Sequence, residues 1–337
     1  MYVVRSPFPQ SPLIVSVHPD AIWALSYTSR SKVLTGCADG HVRIFDSQEL
    51  SAPIHNFSSH PLAITSLSSS SDGSKSLATS LDGTVVLFDV EEGKEVGRVE
   101  TGREKVGGDE SELPAFSAAL HPESKCWAWS GRSSKIAIRP ITDSDVGGES
   151  SRGSLGGAGK TIETGKGKFG MDVKFSPDGK QLAVATEAGH VFIVDVETSA
   201  VVATYSSHAM AIRTISWSPD SQWLFSGSDD HRIVLYDVRA GSTSSTTSRG
   251  EGAVAILQGH QSWVLKVAAA PDGKLLGSGG ADNLIKLWDI GQRACVSTNS
   301  STAEVWGFEW NPLGNGKEFV VAGDDKAVTQ YKAAGSA

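Results

Sequence analysis

Short stretches of alternating apolar and polar residues recur along almost the whole chain. Examples are VKFSPDGKQLAVAT (173–186), ISWSPDSQWLFSGS (215–228) and VAAAPDGKLLGSGG (267–280), in which two apolar stretches flank a turn with a Pro-Asp pair. Such alternation is typical of β-strands with one buried face, and Gly, Pro, Asp and Ser mark the turns between strands. The pattern therefore predicts an all-β protein of many short strands.

A second pattern repeats over a longer distance. A turn aspartate stands six residues before an aromatic residue in five pairs: Asp39 and Phe45, Asp82 and Phe88, Asp230 and Tyr236, Asp282 and Trp288, Asp325 and Tyr331. A histidine lies 21 or 22 residues before four of these aspartates, at His18, His60, His208 and His260. Because units of about 40–50 residues with four strands each are typical of β-propellers, the repeat predicts that fold.

Seven such units can be counted along the chain. They begin near residues 18, 60, 111, 166, 208, 260 and 301, in a propeller spanning 11–332 between an N-terminal tail at 1–10 and a C-terminal tail at 333–337. The seventh unit has no outer strand of its own, and SPLIVSV (11–17) is predicted to supply it, so that the ring closes without exposed edges. The polar, Gly- and Ser-rich segments 142–165 and 239–252 are predicted to be flexible insertions.

The unit from Gly259 to Asp289 resembles a complete WD40 repeat, with Gly-His at its start and Trp-Asp at its end. The resemblance implies a seven-bladed WD40 β-propeller closed by the N-terminal strand. It also implies a buried hydrogen-bond chain of His, Ser or Thr, Asp and an aromatic residue within each complete blade. The implied members here are His208, Ser226, Asp230, Tyr236, His260, Ser278, Asp282 and Trp288. Phe45 and Phe88 carry no polar hydrogen, so blades one and two are expected to form shorter chains.

Composition narrows the function classes. The formal net charge of -8 argues against direct nucleic-acid binding, which depends on Lys and Arg at phosphates. The three cysteines include no C-x-x-C pair, which argues against a disulfide framework and against a zinc site. We expect no membrane span, since no apolar stretch reaches about 18 residues, and no secretory leader. We also expect no cofactor and no metal.

Two motifs invite a catalytic interpretation. The His, Ser and Asp residues recur in several blades, whereas one active centre needs a single set, so we expect them to be structural. SLGGAGKT (154–161) resembles a phosphate-binding loop, but Ser154 occupies the position of its first glycine and no apolar strand precedes it. A propeller enzyme would instead need convergent carboxylates at the central channel, for which Asp229, Glu304 and Asp324 are candidates by position only. We expect no catalytic residues.

Large apolar residues are also placed at one end of the repeat. Five residues after the start of each unit lie Trp23, Thr65, Phe116, Met171, Arg213, Leu265 and Trp306. Here the chain enters the innermost strand, at the narrow or top mouth of a propeller. Exposed apolar patches mark protein contacts, so we predict a protein-binding top face formed by Trp23, Phe116, Phe169, Met171, Arg213, Trp263 and Trp306. The alternative for any one of these rings is packing between blades.

Some segments within the repeats contain residues that the generic repeat does not require, such as HAMAIR (208–213) and SWVLKV (262–267). These segments resemble the family of small WD40 subunits of the superkiller (Ski) complex. The resemblance implies a scaffold that binds a tetratricopeptide-repeat protein and supports a DExH RNA helicase in exosome-coupled 3′-to-5′ mRNA decay, with two propeller copies per complex. It implies a cytoplasmic location and, in some lineages, nuclear roles in meiotic recombination or transcription.

Two other function classes stay open at this point. One is a WD40 substrate adaptor of a ubiquitin ligase or a reader of histone peptides, which would have an Arg- or acid-lined central pocket. The other is the propeller enzyme described above. The proteins that accompany the chain in its own cells would discriminate among the three.

Overall fold

The computed structural model describes residues 13–16, 18–102, 114–131, 135–142, 153–155, 159–164, 169–239 and 252–333. Within these ranges the chain forms strands and turns only. In this part of the chain no helix has the length and apolar character needed to cross a membrane.

The strands group into sheets that we call blades one to seven. The chain begins with β1 (Leu13–Ser16). Blade one contains β2 (Ile22–Tyr27), β3 (Lys32–Cys37), β4 (Val42–Asp46) and β5 (His55–Phe57). Blade two contains β6 (Ile64–Ser69), β7 (Lys75–Ser80), β8 (Thr84–Asp89) and β9 (Lys94–Glu100). Blade three begins with β10 (Ala115–Leu120), β11 (Cys126–Gly131) and β12 (Lys135–Pro140). Next in the chain come β13 (Gly153–Ser154), which joins the sheet of blade two, and β14 (Lys160–Glu163), which completes blade three.

The remaining blades follow in chain order. Blade four contains β15 (Gly170–Phe175), β16 (Gln181–Thr186), β17 (Val191–Asp195) and β18 (Ala200–Tyr205). Blade five contains β19 (Ile212–Trp217), β20 (Trp223–Ser228), β21 (Arg232–Asp237) and β22 (Ala253–Gln258). Blade six contains β23 (Val264–Ala269), β24 (Leu275–Gly280), β25 (Leu284–Asp289) and β26 (Ala294–Ser300). Blade seven contains β27 (Val305–Trp310), β28 (Glu318–Gly323) and β29 (Ala327–Lys332).

The seven blades close into a ring. The first strand of each blade contacts the first strand of the next, and β27 contacts β2 to complete the circle. Strand β1 pairs antiparallel with β29, so the N-terminal strand forms the outer strand of blade seven. The prediction of a seven-bladed propeller closed by its N-terminal strand is confirmed.

A β-bulge occupies the same place in all seven innermost strands. The register with the second strand shifts between Ile22 and Ala24 in blade one, and equivalent shifts occur in blades two to seven. A bulge places two residues opposite one partner and re-aims the extra side chain. The residues that the bulges skip are Trp23, Thr65, Phe116, Met171, Arg213, Leu265 and Trp306.

The core consists of seven apolar clusters, one between each pair of adjacent blades. The cluster between blades seven and one, for example, joins Phe45 and Leu25 to Val320. Six further clusters fill the other junctions. The second strand approaches the next blade so closely that a Cβ at Gly279 would lie 2.4 Å from a Val305 methyl group. The junction between blades six and seven therefore depends on matched small and large residues.

Polar side chains tie the innermost strands to one another around the channel. An innermost strand is a sheet edge, whose free backbone N–H groups need partners. The backbone N–H of Ala118 donates to Ser66 at 3.1 Å, and that of Ile215 donates to Asp172 at 2.9 Å. The N–H of Ala269 donates to Ser216 at 3.0 Å. Adjacent blades are thus joined through hydrogen bonds as well as through apolar packing.

Part of the segment 142–165, which the sequence predicts to be a flexible insertion, forms strands. Strand β14 is the outer strand of blade three, and β13 extends blade two by pairing parallel with β9. Leu155 directly follows β13 and is 1% exposed in the apolar cluster between blades two and three. Leu155 therefore belongs to the core although it lies in a segment whose composition is that of a loop. Most of the other predicted insertion, 240–251, lies outside the described residues.

Candidate protein-binding face

The seven bulge residues surround the mouth of the central channel, and we call them the mouth ring. All of them line one cavity of about 220 Å³. The predicted residues Trp23, Phe116, Met171, Arg213 and Trp306 therefore lie together. The bulge explains this arrangement, because it lets consecutive residues such as Trp23 and Ala24 both reach the cavity.

Aromatic side chains pack in pairs across neighbouring blades at this mouth. The rings of Trp23 and Trp306 lie 6.3 Å apart, which joins blades one and seven. The Phe169 ring, outside the cavity lining, meets Phe116 edge-on at 5.0 Å. Aromatic pairs at such distances stabilise one another beyond the area they bury. These four rings are partly buried, so they both support the rim and remain available for contact.

The one cation of the mouth ring, Arg213, is neutralised by its own blade. Its Nε and Nη2 groups donate to the two carboxylate oxygens of Asp229 at 2.8 and 2.9 Å. The guanidinium carbon also lies 4.9 Å from the centre of the Trp263 ring. Asp229 and Arg213 thus form a platform for Trp263, whose side chain is 42% exposed.

Three further exposed apolar residues on the same face were not among the residues predicted from the sequence. Leu62, Leu81 and Met210 are 49%, 46% and 48% exposed. Leu62 and Met210 each stand two residues after a histidine, in the bend that precedes an innermost strand. The backbone N–H of Leu81 donates to the Ala63 carbonyl group beside one of these bends. Their recurrent place after His60 and His208 was a signal in the sequence. With Trp263 they extend the apolar surface beyond the mouth, and we call the combined surface the top face.

Behind the top face, blade six contains a continuous hydrogen-bond chain. His260 Nδ1 lies 3.0 Å from Asp282 Oδ2, and His260 Nε2 lies 2.8 Å from the Ser278 hydroxyl. The indole N–H of Trp288 donates to Ser278 at 2.9 Å. Because an ionised carboxylate only accepts, Nδ1 carries the imidazole proton and Nε2 accepts from Ser278.

Blade five repeats this chain with one substitution. His208 contacts Asp230 at 2.9 Å and Ser226 at 2.7 Å. Tyr236 replaces the tryptophan, and its hydroxyl lies 3.4 Å from that of Ser226. This last bond is longer than its counterpart in blade six.

Electrostatics agrees with ionised aspartates in both chains. Burial on its own would raise the pKa of Asp282, but hydrogen bonds from His260, Gln261 and Leu284 outweigh burial and lower the pKa. The pKa of Asp230 is lowered in the same way, with burial opposed by His208 and backbone N–H groups. Both carboxylates are therefore structural acceptors rather than proton donors at neutral pH.

Blades one and two depart from this arrangement. His18 keeps its bond to Thr35 at 2.8 Å, but Asp39 pairs with Arg43 at 2.7 Å. In blade two Ala78 offers no hydroxyl, and Asp82 bonds to Ser80 and Thr84 instead. Without an acidic partner the buried imidazoles lose their charge easily. Burial first, and Arg43 or Arg98 second, lower the pKa of His18 and of His60 to about 4.

The chemical motifs of the sequence lie apart from any shared centre. Asp229 is engaged by Arg213, and in the described part of the chain no three His, Cys, Asp or Glu residues are arranged to hold a metal ion. Lys160 and Thr161 belong to strand β14, whereas a phosphate-binding loop would open a helix at these residues. The recurrent His, Ser and Asp residues therefore connect parts of blades.

Comparison with known families follows the same blades. The family model "WD domain, G-beta repeat" matches residues 10–46, 51–89, 199–237 and 252–289, which are the units with the aspartate–aromatic interval in blades one, two, five and six. The chain is a WD40-repeat protein. A second model, the WD40 domain of anaphase-promoting complex subunit 4, matches residues 162–217 of this WD40 chain.

Several WD40 relatives are similar over much of the chain. WD repeat-containing protein SL1-17 of Schistosoma mansoni is 27% identical over 66% of this chain and 69% of its own length. WD repeat-containing protein VIP3 of Arabidopsis thaliana is 27% identical over 77% of both chains. Meiotic recombination protein rec14 of Schizosaccharomyces pombe is 30% identical over 50% of this chain and 52% of its own. Two of these three relatives are named as WD repeat-containing proteins.

Proposed function

We propose that this WD40 propeller is a non-catalytic scaffold subunit of the Ski complex. Its top face binds a tetratricopeptide-repeat subunit and supports a DExH RNA helicase in exosome-coupled 3′-to-5′ mRNA decay. The proposed location is the cytoplasm, with two propeller copies per complex. Nuclear roles in meiotic recombination or transcription belong to the same proposal.

The observation that carries the proposal is the composition of the top face. Leu62, Leu81, Met210 and Trp263 are exposed around a mouth lined by further rings, and the arginine among them is already paired with Asp229. An exposed apolar surface of this kind is a contact for protein rather than for nucleic acid. Exposed tryptophans are also the residues most often found at the energetic centres of interfaces.

The segments that carry the resemblance to the Ski subunit contribute to this face. HAMAIR (208–213) supplies Met210 and Arg213, and SWVLKV (262–267) supplies Trp263 and Leu265. The generic repeat does not require these side chains, because its own hydrogen-bond chain uses His208 and His260. The similarity to the meiotic recombination protein rec14 supports the proposed nuclear role.

Purification of the tagged full-length chain from its own cells tests the proposal. We expect mass spectrometry to identify a tetratricopeptide-repeat protein and a DExH helicase, with two propellers for each helicase. Recovery of ubiquitin-ligase subunits or of histones without these two proteins would contradict the proposal and favour the adaptor or reader function.

A further inference from the structure

The channel below the mouth ring contains a lysine at its centre. Lys174, on the innermost strand β15, lines the mouth cavity and also a lower cavity of about 370 Å³ that reaches Pro122 and Pro312 on the opposite side. Its side chain therefore lies where the two cavities meet. A group that enters through the mouth ring can reach this lysine.

The other charged groups of the channel already have partners. Lys266 pairs with Glu309 at 3.5 Å. Asp172 accepts the backbone N–H groups of Val173 and Ile215, both at 2.9 Å, and the Ser117 hydroxyl at 3.2 Å. Each carboxylate is thus occupied by a donor other than Lys174.

Lys174 is the exception among these groups. Within the described residues its ammonium group forms no hydrogen bond or ion pair. Burial lowers the pKa of Lys174, and repulsion from Lys266 lowers it further, whereas Asp172 and Glu309 act in the opposite direction more weakly. A carboxylate that entered the channel would supply the partner that Lys174 lacks among the described residues.

We propose that the channel is a binding site for a carboxylate, provided by an acidic side chain of the polypeptide bound at the top face, with Lys174 as its principal partner and Lys266 beside it. This proposal rests on the proposed function of the top face. It assigns to the partner a glutamate or aspartate next to apolar residues.

The lining of the mouth cavity fits a side chain that is apolar along its length and charged at its tip. Trp23, Met171 and Leu265 surround the upper part, and the two lysines lie among the deeper lining residues. A volume of about 220 Å³ corresponds to several waters at about 30 Å³ each. Attraction between unlike charges is stronger in such a narrow site than in bulk water.

Selection of a displayed peptide library on the full chain tests the proposal. We expect the enriched peptides to carry an acidic residue at a fixed distance from a large apolar residue. Replacing that acid by its amide should weaken binding by at least about tenfold, as for a lost charge-assisted hydrogen bond. Lys174→Met should abolish the difference between the acid and amide peptides, and Lys174→Arg should retain it.

Lys180→Met is the matched control, because Lys180 is exposed and on the turn after the same strand. Peptides selected on the Lys180→Met variant should still bind more tightly with the acidic residue than with its amide. Selected peptides without an acidic preference, or with one that survives Lys174→Met in a folded protein, would overturn the carboxylate site while leaving the top face intact. Failure to select any peptide at the top face would instead count against the proposed function.

Free glutarate in a thermal-shift measurement distinguishes the source of the carboxylate. If glutarate stabilises the unmodified chain but not Lys174→Met, and the library shows no acidic preference, the site binds a small free acid and the assignment to a partner side chain is wrong. If the partner side chain is the ligand, the peptide preference should be present whether or not glutarate binds.

Discussion

At the scale of single residues, two buried indoles show how a hydrogen bond distinguishes similar side chains. Trp288 and Trp127 are 2% and 0% exposed. Trp288 donates to Ser278, whereas the Trp127 Nε1 group has no partner among the described residues. Replacement of tryptophan by phenylalanine therefore removes ring volume in both blades, but it removes a hydrogen bond only at Trp288.

We expect Trp288→Phe to reduce the free energy of unfolding by about 1–2 kcal/mol more than Trp127→Phe. Both changes remove similar ring volume, and only the first leaves the Ser278 oxygen without its indole donor. Urea denaturation of the two variants measures the difference. Equal losses would show that the blade-six chain contributes nothing specific to stability.

The neutral histidines of blades one and two predict a dependence of stability on pH. The pKa of His18 and of His60 is about 4 in the folded protein and 6.5 in an ordinary environment. Between these values the unfolded state binds more protons, so stability falls as the pH decreases from 6.5 towards 4. Each histidine contributes up to about 3 kcal/mol above this window.

Urea denaturation between pH 7 and pH 4.5 checks this expectation. The double variant His18→Gln, His60→Gln should show a shallower decrease than the unmodified chain, and the exposed His231→Asn should leave the slope unchanged. Asp39 and Asp72, each with a pKa of about 2, act only at lower pH, where their contribution is lost as they become protonated. An unchanged slope in the double variant would contradict the assignment of neutral buried imidazoles.

At the scale of elements, the ring depends on a strand from the start of the chain. Strand β1 covers the edge of β29, and without it that edge would be free to pair with another molecule. We expect removal of residues 1–17 to lower the melting temperature and to produce association that increases with protein concentration. Light scattering after size-exclusion chromatography measures the association. Removal of residues 1–10 alone is the control, and equal behaviour of the two truncations would contradict the closing role of β1.

The sequence predicted the repeating elements better than the exceptions to them. The positions of the closing strand and of the mouth ring could be predicted from repeat alignment. Because the bulge falls at the same position of every repeat, residues that align in the sequence occupy the same place in each blade. The burial of Leu155 could not be predicted, since it depends on blade two, which is distant in the chain. The exposure of Leu62 and Met210 was not predicted either. The alternation of apolar and polar residues predicts which side of a strand is buried, but it does not predict the burial of residues in the bend before the strand.

At the scale of the whole molecule, the two ends of the propeller differ in how their apolar residues are distributed. The top face combines Leu62, Leu81, Met210 and Trp263 with the mouth ring, whereas Leu313, 67% exposed, lies in the turn between the first two strands of blade seven, at the other end. The blades provide a rigid support for the top face, because apolar clusters and polar ties join each blade to the next. This difference allows the function of one face to be tested against the other.

Recovery of the proposed partners by variants of the two faces tests whether the top face is the binding surface. The double variant Met210→Ser, Trp263→Ser and the control Leu313→Ser should melt within a few degrees of the unmodified chain, since all three side chains are exposed. We expect the top-face variant to recover less than a tenth of the proposed tetratricopeptide-repeat protein and helicase, as for residues at the centre of an interface. Leu313→Ser should recover both fully. Full recovery by a folded Met210→Ser, Trp263→Ser variant would contradict the assignment of the top face as the binding surface.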